Sequence, residues 1–154
     1  MRQAEIIQAA YDRLNVSPVT GLLSASYGVP AIFQVGRVPR TQSGDPLAFP
    51  YVTISAPSDV NFSDKLCLGG NAIVQIDVWD RSGSAVALGN IMRAASQATV
   101  RTAWNVVGFI TCERENSDII PDPDGLTMHG LIRLRLLYLD TSNPWSAEFS
   151  LEFG

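Results

Sequence analysis

Apolar and polar positions alternate along this chain with two distinct periods, and the switches between them outline its elements. In "RQAEIIQAAYDRL" (2–14), Ile6, Ile7, Ala10, Tyr11 and Leu14 recur at helical spacing, while Arg2, Glu5, Gln8 and Asp12 fall elsewhere on the wheel. That pattern predicts an amphipathic helix, which Pro18 and Gly21 then stop. "VTGLLSAS" could form a short second helical turn. "AIFQV" (31–35) reads as a short strand, and the three prolines of "RVPRTQSGDPLAFP" (37–50) make that stretch a loop.

A period of two follows. "PYVTISA" (50–56) places Val52, Ile54 and Ala56 on one face and Tyr51, Thr53 and Ser55 on the other. "NAIVQIDVWD" (71–80) places Ala72, Val74, Ile76 and Val78 inward, with Ile73, Gln75, Asp77 and Trp79 outward. The polar loop "PSDVNFSDKLCLGG" (57–70) between them is longer than ordinary hairpin loops, a length that usually marks function or disorder. "SGSAVALGNIMRAASQAT" (82–99) is the second main helix. Ser82 or Ser84 can cap it, and Leu88, Ile91, Met92, Ala95 and Thr99 form its apolar stripe. Two further strands, "WNVVGFITCERE" (104–115) and "GLIRLRLLYLD" (130–140), complete the domain.

The order helix, strand, strand, strand, helix, strand, strand predicts an α+β fold: a mostly antiparallel sheet with two helices packed on one face, long loops and a C-terminal arm. The expected division is a domain over 1–140 and an arm over 141–154. In that arm Phe149, Leu151 and Phe153 alternate with polar or acidic neighbours, as in a half-buried strand that pairs with its own sheet or with a neighbouring subunit.

Composition narrows the function classes. With 154 residues, 46% hydrophobic and 17% charged, the chain is long enough for one domain with a real core. A net charge of −4 argues against sequence-independent nucleic-acid binding, which needs a basic face, though DNA could slide past an acidic surface. No apolar run approaches bilayer-spanning length, and the N-terminus does not read as a signal peptide. Cys67 and Cys112 lack CxxC spacing and read as small apolar side chains in a reducing compartment, with a single disulfide still open.

Candidate chemistry concentrates in "IIPDPDGLTMHGLIRLRLLYLD" (119–140), which holds His129, the one histidine, beside Asp122 and Asp124. As a calcium loop with Gly125 at its sixth position, it would carry Ile120 and Leu131 where the first and last ligands belong. As a zinc site it lacks a second histidine or a nearby cysteine. No GxSxG, P-loop or GxGxxG occurs. Proline and Asp-Gly before an alternating strand predict a hairpin turn instead, with His129 an ordinary polar residue at the strand's start. No cofactor or metal is implied.

In the strand beyond it, Ile132, Leu134, Leu136 and Tyr138 share one face, opposite Arg133, Arg135, Leu137 and Leu139. Cross-strand pairing could match these arginines with Asp77. The outward face, with Trp79, Ile73, Leu137 and Leu139, is either solvated or a subunit interface.

"PYVTIS", a loop with Ser63, Asp64 and Lys65, then "IVQIDVWDRSGS" leading into an alanine-rich helix, a strand and "PDPDGLTMHGLIRLRLLYL" together resemble the tail-terminator (tail-completion) proteins of long-tailed bacteriophages and gene transfer agents. The resemblance runs from about Ile6 to Leu139. Its most specific parts are Ile76–Arg81 and Asp122–Gly130, and residues beyond Leu139 depart from it. It implies a non-enzymatic virion protein, assembled in the host cytoplasm and sited at the head-proximal end of the tail. Such proteins form a homohexameric ring that caps the tail tube, ends its elongation and offers a joining surface to the head connector.

Its implied partners are further copies of the chain, the tail tube protein and the head–tail connector, with DNA passing through the lumen unbound and no membrane involved. A closed ring needs a heterologous interface, expected at Asp64, Lys65, Ile73, Asp77, Trp79, Arg133 and Arg135, with Phe149, Leu151 and Phe153 from the arm. A head-side adaptor ring is the chief alternative. A hydrolase using Asp122, Asp124 and His129, or an RNA-binding sheet presenting Trp79 and Tyr51, would be other classes.

Overall fold

A computed structural model describes residues 3–59 and 69–139, with only the backbone of Asp59 and Gly69 included. Its elements are α1 (Gln3–Leu14), α2 (Val19–Leu22), β1 (Ile32–Gln34), β2 (Tyr51–Ile54), β3 (Ser58–Asp59), β4 (Gly69–Asp80), α3 (Ala85–Thr99), β5 (Phe109–Pro121) and β6 (Met128–Leu139). The strands form one sheet in the order β1-β2-β4-β6-β5, with β3 beside β4. Every pairing is antiparallel except β1 with β2, so the fold is α+β with a mostly antiparallel sheet.

The period-two stripes become the inner face of that sheet. Ala72, Val74, Ile76 and Val78 of β4 and Ile132, Leu134, Leu136 and Tyr138 of β6 are all buried, as are Val52 and Ile54. The helices cover this face: α3 packs on β4 and β6, α1 on β1 and β2, and the two helices touch each other. Their stripes of Ile6, Ala10 and Leu14, and of Leu88, Ile91, Met92, Ala95 and Thr99, are buried as well. Each fully buried aliphatic side chain stabilises the fold by roughly 1.5–3 kcal/mol relative to exposure. Ser84 caps α3, its hydroxyl accepting from the Ala87 N–H at 3.1 Å.

Three segments differ from expectation. Within the expected loop 57–70, Ser58–Asp59 form β3 and Gly69 and Gly70 already belong to β4. Residues 104–108 do not extend β5. Trp104 is instead buried under the end of α3, where its indole N–H donates to the Thr99 carbonyl at 3.0 Å and satisfies one of the helix's terminal acceptors. Gly108, at φ 78°, then turns the chain into β5, which continues to Pro121. The outward face of β2 is covered too: Tyr51 and Thr53 are both 5% exposed. The segment 24–50 brings Tyr27 and Phe49 against Tyr51, with ring centroids at 6.5 and 5.3 Å. Alternation marks which residues share a face, but a loop can cover the second face without changing the alternation.

Cys112 lies wholly buried on β5 as a free thiol, and burial pushes its pKa up to about 12, with Glu113 adding to the rise. A thiolate is the reactive form. Native protein at pH 8 should therefore leave Cys112 unmodified by iodoacetamide, as read by peptide mass spectrometry, and denatured protein should be modified fully.

Candidate functional site

The outward face of β4, β6 and β5 carries the described polar and aromatic residues singled out above, and β-sheet register decides which of them meet. Trp79 stands directly opposite His129, and Asp77 lies one diagonal away, opposite Leu131. The His129 and Trp79 rings stack at 4.0 Å and 7°, and Tyr51 continues the stack with its centroid 6.3 Å from Trp79. His129 Nε2 lies 2.6 Å from Asp77 Oδ1. The Gln75 amide donates to both Asp77 oxygens, at 3.1 and 3.3 Å, and the Trp79 indole donates to the Thr53 hydroxyl at 3.2 Å.

Asp77 is thus not a surface residue. It is 4% exposed, and a buried carboxylate needs the partners that His129 and Gln75 supply. Nor does it meet the arginines: Arg133 is opposite Gln75 and donates to it at 3.3 Å, while Arg135 is opposite Ile73 and pairs with Glu115. His129 is correspondingly more than an ordinary polar residue, because its ring closes the stack and gives the buried Asp77 a second hydrogen-bond partner beside Gln75.

A histidine held by an aspartate is also the orienting half of a catalytic triad. Among the described residues, however, no serine, threonine or cysteine side chain is hydrogen-bonded to His129. Asp122 and Asp124 are occupied by the hairpin turn: Asp122 Oδ1 accepts from the Asp124 N–H at 3.3 Å. Asp124 accepts from the N–H groups of Leu126 and Thr127, both at 2.8 Å, and from the Thr127 hydroxyl at 2.6 Å. Arg81 adds an ion pair at 3.6 Å while its guanidinium sits 4.5 Å over the Phe49 ring. Among the described residues, no three histidines, cysteines or carboxylates gather as a metal site.

The Thr127 hydroxyl, the backbone N–H groups and Arg81 hold the Asp124 carboxyl down at about 2. A depressed folded-state value means the turn's stabilisation is present above the ordinary carboxylate range and lost as pH falls through about 2. The Leu126 and Thr127 amide resonances should shift with a midpoint near 2 on acid titration. A midpoint near 4 would contradict this account of the turn.

The outward face therefore has two halves. One is sealed by the Tyr27, Phe49, Tyr51, Trp79 and His129 cluster. The other lies open: Arg133 and Arg135 are exposed, Ile73 and Leu137 are half-buried, and Leu139 is 50% exposed. Asp64, Lys65, Phe149, Leu151 and Phe153 lie outside the described residues. The Asp77–His129 pair escaped sequence reasoning because its members are 52 positions apart, and only the β4–β6 register joins them. The apposition of Trp79 and His129 would have been found by pairing "IVQIDVWD" antiparallel with "HGLIRLRL" in the observed register.

The family model described as tail completion protein gp17 matches residues 17–139, from just before α2 to the last residue of β6. The tail completion protein gp17 of Bacillus phage SPP1 is 27% identical over 107 residues, covering 69% of this chain and 79% of that protein. A chain solved within the virion of a native gene transfer agent particle shares the fold with a TM-score of 0.73. Its identity is 17%, over 89% of this chain and 96% of that one. The structure of the bacteriophage SPP1 gp17 protein aligns with a TM-score of 0.54 at 19% identity, over 92% of this chain and 93% of that one.

Proposed function

The chain belongs to the tail completion protein gp17 family, and from that membership we propose that it is a structural virion protein that assembles as a ring, caps the tail tube and joins it to the head-side connector. The observation that carries the proposal is the family match across residues 17–139, which takes in every strand of the sheet. The gene transfer agent chain of the same fold, solved within a virion, supports a place in the particle.

A ring of identical subunits needs one patch that meets a different patch. The open half of the outward face, around Arg133, Arg135, Ile73 and Leu137, supplies an exposed surface of mixed charge and apolar character for one side of that contact. With a net charge of −4, the assembled ring would repel duplex DNA in its lumen more than it would bind it. The family's structural character and the occupied state of Asp122, Asp124 and His129 favour a non-enzymatic role.

Light scattering after size exclusion, across a range of concentrations, should give a mass near six times that of the 16.7 kDa chain. The ring should also stop growing tubes of tail protein in vitro. Binding to head-side rings with no effect on tube length would replace this reading with the adaptor. Reversing Arg133 and Arg135 to glutamate together should leave the fold within about 1 kcal/mol, since exposed pairs contribute little. The same change should lower the assembled mass. An unchanged ring would remove the open half-face from the contact.

A further inference from the structure

Beyond the outward face, a groove of about 670 Å³ opens between α3 and the helix-facing side of β5. Gly89, Met92 and Arg93 form one wall; Arg114, Ser117 and Ile119 form the other. It exists because β5 outruns the cover that the helices provide. Ser117 and Ile119 stand opposite Ile132 and Gly130 and so face the helix layer, yet every residue from Arg114 to Pro121 is exposed. Nothing lies within 4 Å of the place a Gly89 Cβ would take, so the helix wall is open as well. β5 is also the last strand of the sheet, which leaves its outer backbone edge without a strand partner among the described residues. An exposed strand edge beside an apolar-floored groove suits an added strand.

The segment that fits is "EFSLEF", residues 148–153. It alternates Phe149, Leu151 and Phe153 with Glu148, Ser150 and Glu152, and it lies beyond the family match, which ends at Leu139. Its length equals that of the regular stretch of β5 from Asn116 to Pro121, which follows the last irregularity in register. Its two carboxylates give it a net charge opposite in sign to that of the groove, a long-range attraction and not a direct pairing. The groove is lined by Arg93 and Arg114, neither of which has an ion-pair or side-chain hydrogen-bond partner among the described residues, against one carboxylate, Asp118. The only ionisable side chains over 141–154 are Glu148 and Glu152.

We propose that the groove receives residues 148–153 of a second copy of the chain, added antiparallel to β5. Phe149, Leu151 and Phe153 enter against Met92 and Ile119, where thioether sulfur and guanidinium groups both favour aromatic rings. Glu148 and Glu152 then face the other side of the sheet, away from Arg93 and Arg114, where Asn116 and Asp118 share their face and Arg133 stands across β5 from them.

Chain direction selects the second copy over the first. Each tail leaves β6 beside the start of β5, where Tyr138 pairs with Phe109. Alongside its own β5 it can therefore run only parallel, the weaker pairing per residue. Reaching the far end of the 13-residue β5 before turning back would consume about 13 residues at about 3.3 Å each. Almost none of the tail would then remain to pair. A tail from another copy enters from the far end without that constraint.

This inference rests on the oligomeric reading above. The full chain carrying the photo-crosslinking residue benzoyl-phenylalanine in place of Leu151 separates the two. On irradiation, a denaturing gel should show covalent dimers and larger species, with crosslinks mapping to 89–97 or 114–119. Gly89→Trp, which fills open space on α3, should reduce that yield at least tenfold while leaving the circular dichroism unchanged. A product of monomer mass crosslinked to the same groove peptides would place the tail in its own copy and overturn the proposal. Crosslinks elsewhere, or a yield indifferent to Gly89→Trp, would overturn it too. If the uncrosslinked protein still has ring mass and caps tubes, the proposal alone fails. If it stays monomeric and caps nothing, the ring reading fails with it.

Discussion

His129→Ala should destabilise the protein by about 3 kcal/mol. The carboxylate of Asp77 is buried on the outward face and keeps only the Gln75 amide once the imidazole is gone. A buried charged acceptor deprived of a partner costs about 1–3 kcal/mol, and loss of the ring stacked at 4.0 Å on Trp79 adds about 0.5–1.5 kcal/mol. Removing both members, with Asp77→Val and His129→Leu together, should cost less than the two single changes added, because no orphaned charge remains. Urea unfolding of the four proteins gives the coupling energy directly. A cost below 0.5 kcal/mol for His129→Ala would mean that Asp77 finds water on the folded protein, and the sealed half-face would lose its physical basis.

Gly108→Ala should cost about as much, for a backbone reason. Gly108 sits at φ 78°, where an L-residue is disfavoured by about 1–2 kcal/mol. An added Cβ would also lie 2.5 Å from the Leu139 carbonyl oxygen and 3.1 Å from the Leu139 nitrogen. Those atoms are backbone and cannot swing aside. The Leu139 N–H already donates to the Gly108 carbonyl at 2.8 Å, so relief of the clash strains that bond. Together these put the loss at about 3 kcal/mol or more. Gly125→Ala is the matched control: its φ is 72°, but its Cβ would meet nothing within 4 Å. It should lose about 1–2 kcal/mol, the conformational part alone. Equal losses at the two positions, measured by thermal or urea unfolding, would remove the steric account of Gly108. The site matters beyond stability, because it pins the end of β6, from which residues 140–154 depart.

Local pattern determined a good deal of this molecule. The two stripes on α1 and α3, the alternation in β4 and β6, the serine cap at Ser84 and the Asp-Gly turn were all legible. Each follows from residues within one or two turns of one another. The tail-completion family was legible too, from the order of "PYVTIS", "IVQIDVWDRSGS" and "PDPDGLTMHG" along the chain. Three things were decided only when the elements packed. Trp104 was drawn out of an apparent strand because its indole N–H meets the Thr99 carbonyl at the end of α3. Tyr51 and Thr53 were buried because residues 24–50 fold back over the far side of β2. Asp77 was given to His129 and not to an arginine because the β4–β6 register sets Trp79 opposite His129. A one-residue slip would have turned every one of those side chains to the other face. Periodicity states which residues share a face. Register and coverage, which depend on contacts far apart in the chain, state what that face touches.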